Sequence, residues 1–103
     1  MEKKRIDPSQ FKAYPELLKS HRIVERYWVA RALAHGRGGK IDSDLTRMLK
    51  DPSPNVVCMA LKSFGKRGDR EVIPLILALM KKTDHWYVQW HAYNALKRLG
   101  WRQ

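Results

Sequence analysis

The chain has 103 residues, 44% of them hydrophobic and 10% aromatic, which suits one folded domain with a single core and excludes global disorder. Its 21 Lys and Arg against 10 Asp and Glu leave a net charge of +11, which favours an anionic partner and says nothing about fold. The lone Cys58 rules out an intrachain disulfide, and no apolar run has the length of a signal sequence or membrane span, so a cytoplasmic protein is expected.

Residues 1–7 are expected to be a flexible lead, with 1–103 forming one domain. Asp7-Pro8 places a capping side chain before a proline at the first helical position and predicts a helix over about 8–19. A second helix, about 21–35, stops at Gly36-Arg37-Gly38-Gly39, and a third follows over about 41–50. Ser53-Pro54 repeats the cap-then-proline signal and opens a fourth, about 54–66, which ends between Gly65 and Gly68. Asp69 and Glu71 predict a fifth start, giving about 70–82, and Asp84 a sixth, about 85–99, stopped by Gly100. Asp42, Asp69 and Asp84 are each expected to accept from free amides at a helix start. No apolar/polar alternation or Asn-Gly or Asp-Gly turn suggests a strand.

These helices repeat. Val56, Ala60, Ser63, Phe64 and Gly68 stand 32 positions before Val88, Ala92, Ala95, Leu96 and Gly100. Val29, Ala32 and Leu33 precede Ala60, Ser63 and Phe64 by 31, as Ile41, Leu45 and Met48 precede Val72, Ile76 and Leu79. A fixed period built of two short helices marks an α-solenoid.

The stretch "DPSPNVVCMALKSFGKRGDREVIPLILALMKKTD", Asp51 to Asp84, resembles a HEAT repeat of the short phycobilisome-lyase type. It carries the Asp-Pro-x-Pro-x-Val start, the Gly-x-x-Gly-Asp turn and, for the pattern's Val-Ile-Pro-x-Leu in the second helix, Val72-Ile73-Pro74-Leu75-Ile76. Departures are Val57, where the pattern usually has Arg, and Ser63-Phe64, where it has Ala-Leu. The resemblance implies an all-α fold: a right-handed α-α superhelix of about six antiparallel helices, or two to three HEAT-like repeats. "FKAYPELLKS" matches the second half of a repeat and Asp84 to Leu99 a first half, so the expected unit either completes itself against another chain or ends a longer array.

The last helix is unusually aromatic. At about 100° per residue Val88, Ala92, Ala95, Leu96 and Leu99 share one side, and Trp86, Trp90, Tyr93 and Lys97 the nearly opposite one. Stepping back by repeats, that second face becomes Pro54, Cys58, Leu61 and Gly65, then Ile23, Tyr27, Ala30 and Ala34. Three readings stay open: rings packed into the groove beside Cys58 and Leu61, a partner-docking stripe, or a base-stacking platform. As a docking stripe the candidate residues are Trp86, Trp90, Tyr93, Lys97 and Trp101.

Cations crowd helix bodies and C-terminal ends, where the dipole favours them. In HEAT-type solenoids the second helix of each pair lines the concave surface, so the resemblance implies a basic rim of Lys12, Lys19, Arg47, Lys50, Lys81 and Lys82. That rim suits a DNA duplex or an acidic protein segment.

Catalytic signals are poor. His21, His35, His85 and His91 lack the one-turn spacing of a helical metal site, and no His-Glu dipeptide of the iron hydroxylases built from such repeats occurs. "GRGGK" lacks the preceding strand and the following Ser/Thr of a phosphate loop. Asp84 beside two Trp matches no motif of the HEAT-like base-excising glycosylases residue by residue. The expectation is therefore a non-enzymatic scaffold without cofactor or metal. It would bind another protein, an acidic one included, or itself, and not a membrane. Nucleic-acid binding on the basic concave face is the alternative, and an accessory role in a bilin-lyase-like system a weaker one implied by the repeat subtype.

Overall fold

The computed structural model of the chain describes residues 14–102. Its helices are α1 (Tyr14–Leu17), α2 (Ile23–Ala32), α3 (Gly39–Met48), α4 (Pro54–Arg67), α5 (Ile73–Lys82) and α6 (Trp86–Arg98), with 3₁₀ turns at Leu33–His35 and Arg70–Val72. No strand occurs among the described residues. The fold is an all-α solenoid. Asp7-Pro8, Lys12 and the expected start of the first helix lie outside the described residues.

The fifth helix departs from expectation at its start. Pro74 cannot sit inside an α-helix begun at Arg70, because its ring would meet the carbonyl four residues back. Arg70–Val72 therefore forms a 3₁₀ turn and the α-helix opens at Ile73, with Pro74 in its first turn.

The expected aspartate caps do not form. Asp42 lies inside α3 and pairs with Arg67. Asp69 is engaged by Arg67 and Arg37. Asp84 is exposed, and His85 occupies the cap position of α6 without a side-chain bond. Ser53 caps α4 by position, also without a side-chain bond. Asp42 and Asp69 are drawn instead to arginines that the fold brings near.

A different device precedes each first helix. Ser20 Oγ accepts the N–H of Arg22, Asp51 Oδ1 that of Ser53, and Thr83 Oγ1 that of His85, at 3.0, 2.9 and 3.2 Å. The three residues stand one repeat apart, and each turns the chain three residues before the helix begins. Above the turn, Arg26 Nη1 donates to Ser20 O at 2.8 Å, and Gln89 Nε2 donates to Thr83 O at 3.1 Å from the matching position.

At the equivalent site on α4 stands Val57, the residue that departs from the pattern. Arg26 also grips Asp51 with two bonds, Nε to Oδ2 at 2.8 Å and Nη2 to Oδ1 at 3.1 Å, tying α2 to the loop before α4. One repeat later the pair becomes Val57 and Thr83, which cannot form it; both line a hollow of about 400 Å³.

Central α4 packs against α2 on one side and α6 on the other, with α3 beneath it; α5 lies against α6 and α1 against α2. Along α4 only Asn55, Lys62 and Lys66 are exposed. Val56, Ala60 and Phe64 fill the core with Leu33, Leu45, Ile76, Val88 and Leu96, each nearly solvent-free. Burying each larger side chain contributes about 1.5–3 kcal/mol before entropy is charged. Ser63, the other departure from the pattern, donates its hydroxyl to Ala30 O at 2.7 Å and so joins α4 to α2. Both long helices of this layer end on left-handed glycines. Gly68 (φ 78°) bonds to Phe64 O, and Gly100 (φ 84°) and Trp101 close a two-bond cap on Lys97 O and Leu96 O.

Candidate partner-binding face

The repeat sets the faces of each first helix. On α4 the forward face is Cys58, Leu61 and Gly65, and all three are buried. Cys58 Sγ lies 3.9 Å from Tyr87 O, and a Cβ at Gly65 would stand 3.4 Å from Arg98 Cδ and 3.6 Å from Ala95 Cα. So α6 covers this face with Tyr87, Ala95 and the stem of Arg98.

The same positions on α6 are Trp90, Tyr93 and Lys97. All three are exposed. Trp86 is 74% exposed, Trp90 58% and Tyr93 45%. Of the three open readings, these exposures do not fit the one in which the rings are packed into the groove beside Cys58 and Leu61. Trp90 borders a hollow with Leu61, Gly65, Ala95 and Arg98. The small Ala95 approaches Gly65 closely.

The rings are held in defined arrangements. Trp86 meets Tyr87 edge-on at 5.7 Å and Trp90 meets His91 edge-on at 5.0 Å. Lys97 Nζ lies 5.5 Å from the Tyr93 ring, a cation–π contact at the end of the stripe. Trp101 is set apart: half-buried, it packs on the core behind the Gly100 cap.

Of the expected basic rim, Lys19, Arg47 and Lys50 line one hollow of about 360 Å³, together with Lys40, Asp44 and Asp51. Lys50 also meets Lys82 in the neighbouring hollow beside Val57 and Thr83. Lys81 is exposed at the end of α5 and lines neither, and Lys12 lies outside the described residues. Asp44 and Asp51 within this rim are already paired, to Lys40 and Arg26.

A second basic group was not singled out by sequence reasoning. Arg31, His35, Lys62, Lys66 and Arg98 border one hollow on the outer side of α2, α4 and α6. The signal was present in the numbering: Arg31 and Lys62 are 31 apart, as are His35 and Lys66, and Arg98 follows Lys66 by 32.

Among the described residues no group of three or more His, Cys, Asp or Glu is placed to hold a metal ion, and no helix is long and apolar enough to cross a membrane. Burial pushes the Cys58 thiol above its ordinary value, against the opposing pull of Lys62. Burial, aided by Lys62, lowers His91.

Neither the curated proteins nor the solved structures gave a match to this chain. The family model described as HEAT repeats matches residues 12–97. HEAT repeats generally serve as scaffolds for protein–protein interaction. The two-helix period, the stacked first helices and this match over most of the sequence agree, and the chain belongs to the HEAT-repeat family.

Proposed function

We propose that this chain is a non-catalytic HEAT scaffold that binds another protein through the forward face of α6, with Trp86, Trp90 and Tyr93 as apolar anchors. One observation carries the reading: positions buried on α4 as Cys58 and Leu61 recur on α6 as the exposed rings of Trp90 and Tyr93, and buried Gly65 recurs as exposed Lys97. Trp and Tyr remove much area from water at little rotamer cost, and they are the side chains on which interface energy concentrates. Lys97 and the basic rim of Lys19, Arg47, Lys50 and Lys82 would speed encounter with an acidic partner.

The test is site-specific photo-crosslinking in cells of the source organism. A photoreactive residue replaces Trp90 in one variant and Asn55, outside the stripe, in another. The reading expects a discrete protein adduct from position 90 that a second change, Tyr93→Asp, abolishes. It fails if position 90 yields no adduct, or the same adducts as position 55. Light scattering across concentration identifies the competing occupant, a second copy of the chain, by a doubled mass that Trp90→Ala returns to monomer.

A further inference from the structure

We propose that the outer ridge of α2, α4 and α6, which adjoins the aromatic face at Trp90, binds the phosphate backbone of a nucleic acid strand. Equivalent positions on three adjoining helices supply its cations. Arg31 on α2 and Lys62 on α4 occupy one register; His35, Lys66 and Arg98 occupy the next. All five border a single hollow of about 380 Å³, and Lys62 and Arg98 extend into the adjoining hollow of about 230 Å³ between α4 and α6.

No carboxylate lines either hollow. Among the described residues, Arg31, Lys62, Lys66 and Arg98 take part in no ion pair. The rim near α3 differs, because Asp44 and Asp51 stand among its lysines. The ridge is thus a surface where positive charge is left uncompensated.

Helix dipoles explain part of the arrangement. Arg31, Lys66 and Arg98 lie in the last turns of α2, α4 and α6, where a cation is favoured whatever the function. Lys62 lies a full turn further in, and the dipole does not require the basic side chains of three helices to share one hollow. Side-by-side helices sit about 8–10 Å apart, so the basic side chains of three of them form a row along which a phosphate backbone can run.

The hollow favours nucleic acid over an acidic protein. Charged and polar side chains dominate its wall, so it offers little to an apolar anchor of the kind protein interfaces need. The one aromatic in it, Tyr27, is partly exposed and presents a ring on which a base can stack.

The experiment is fluorescence anisotropy of the full chain with a labelled mixed-sequence 20-nucleotide single strand, as DNA and as RNA, between about 50 and 200 mM salt. Lys62→Glu/Lys66→Glu is compared with Lys50→Glu/Lys82→Glu, which changes net charge equally on the other side. All four lysines are exposed, and circular dichroism verifies folding. Binding of either strand is expected to weaken at least tenfold in the ridge variant and less than threefold in the control. The ridge variant should also flatten the log–log salt slope by about 1.4, at about 0.7 for each phosphate no longer neutralised. Equal losses in both variants, absence of binding at low salt, or polyglutamate of matched charge binding as tightly as the oligonucleotides would overturn the proposal.

Discussion

Removing Asp69 should cost far more than removing Asp42, although both pair with Arg67. The Arg67 side chain is 2% exposed, while those of Asp69 and Asp42 are 13% and 53% exposed. Asp69 Oδ2 lies 2.9 Å from Arg67 Nε and its Oδ1 3.1 Å from Arg37 Nη1, and Arg37 Nη2 donates to Arg67 O at 2.8 Å. Asp69 thus fastens the end of α4 to the loop before α3. Breaking a buried pair by deleting one partner costs about 3–5 kcal/mol, because the other charge stays behind unpaired. With Asp42 still present the expected cost of Asp69→Ala is about 2–4 kcal/mol, a large share of the roughly 5–15 that holds a domain together. Asp42→Ala removes a half-exposed partner and should cost about 0–1 kcal/mol.

Arg67→Met should cost less than Asp69→Ala. Its Nη1 makes no hydrogen bond among the described residues, and Nε meets Asp69 off the bonding axis. The Met stem keeps the apolar packing beside Phe64, whose ring centre lies 5.9 Å from the guanidinium carbon. Urea unfolding followed by circular dichroism ranks the three variants. If Asp69→Ala loses under about 1 kcal/mol, or Asp42→Ala loses as much, Asp69 is not the counter-charge on which Arg67 depends.

Three further outcomes are expected. Gly65→Ala should raise stability by about 0.5–1 kcal/mol, since the added Cβ meets only ordinary contacts and a mid-helix glycine is costly; a lower melting temperature would contradict the described fit of α6. His91, lowered from its ordinary 6.5 by burial and then by Lys62, takes its proton more readily in the unfolded chain. Its contribution is therefore complete above about pH 6.5 and lost as pH falls below it, so His91→Gln should flatten the stability slope between about pH 5 and 7; an unchanged slope counts against it. Installing the missing pair should show coupling: Val57→Arg alone destabilises, and adding Thr83→Asp recovers about 1–3 kcal/mol in a double-mutant cycle, whereas strict additivity would show that the two joints are built differently.

Much of the fold was legible because period and packing depend on the same residues. Val56 and Val88, or Ala60 and Ala92, sit one repeat apart and fill equivalent places in the core. Helix starts were found by proline and glycine, which act within a few residues. The capping aspartates were misread because their partners come from elsewhere in the chain: Arg67 is 25 positions from Asp42, and Arg37 is 32 from Asp69. The direction of the aromatic stripe was equally hidden. An amphipathic pattern separates two faces of α6 but does not say which meets α4; the fit of Ala95 against Gly65 decides that. The ridge escaped notice because cations counted helix by helix look like dipole partners, and only their shared register brings them together.

The glycine at the α4–α6 joint has a last consequence. Successive helices nest here because the underlying one offers Gly65 and Cys58, leaving space for its neighbour to settle closely. The matching places on α6 hold Lys97 and Trp90, so a newcomer of the same shape is kept at arm's length. Identical molecules therefore cannot extend this lattice head to tail with its own geometry. On the proposed reading, an exposed greasy edge that would otherwise invite open-ended fibre growth suits a differently contoured visitor.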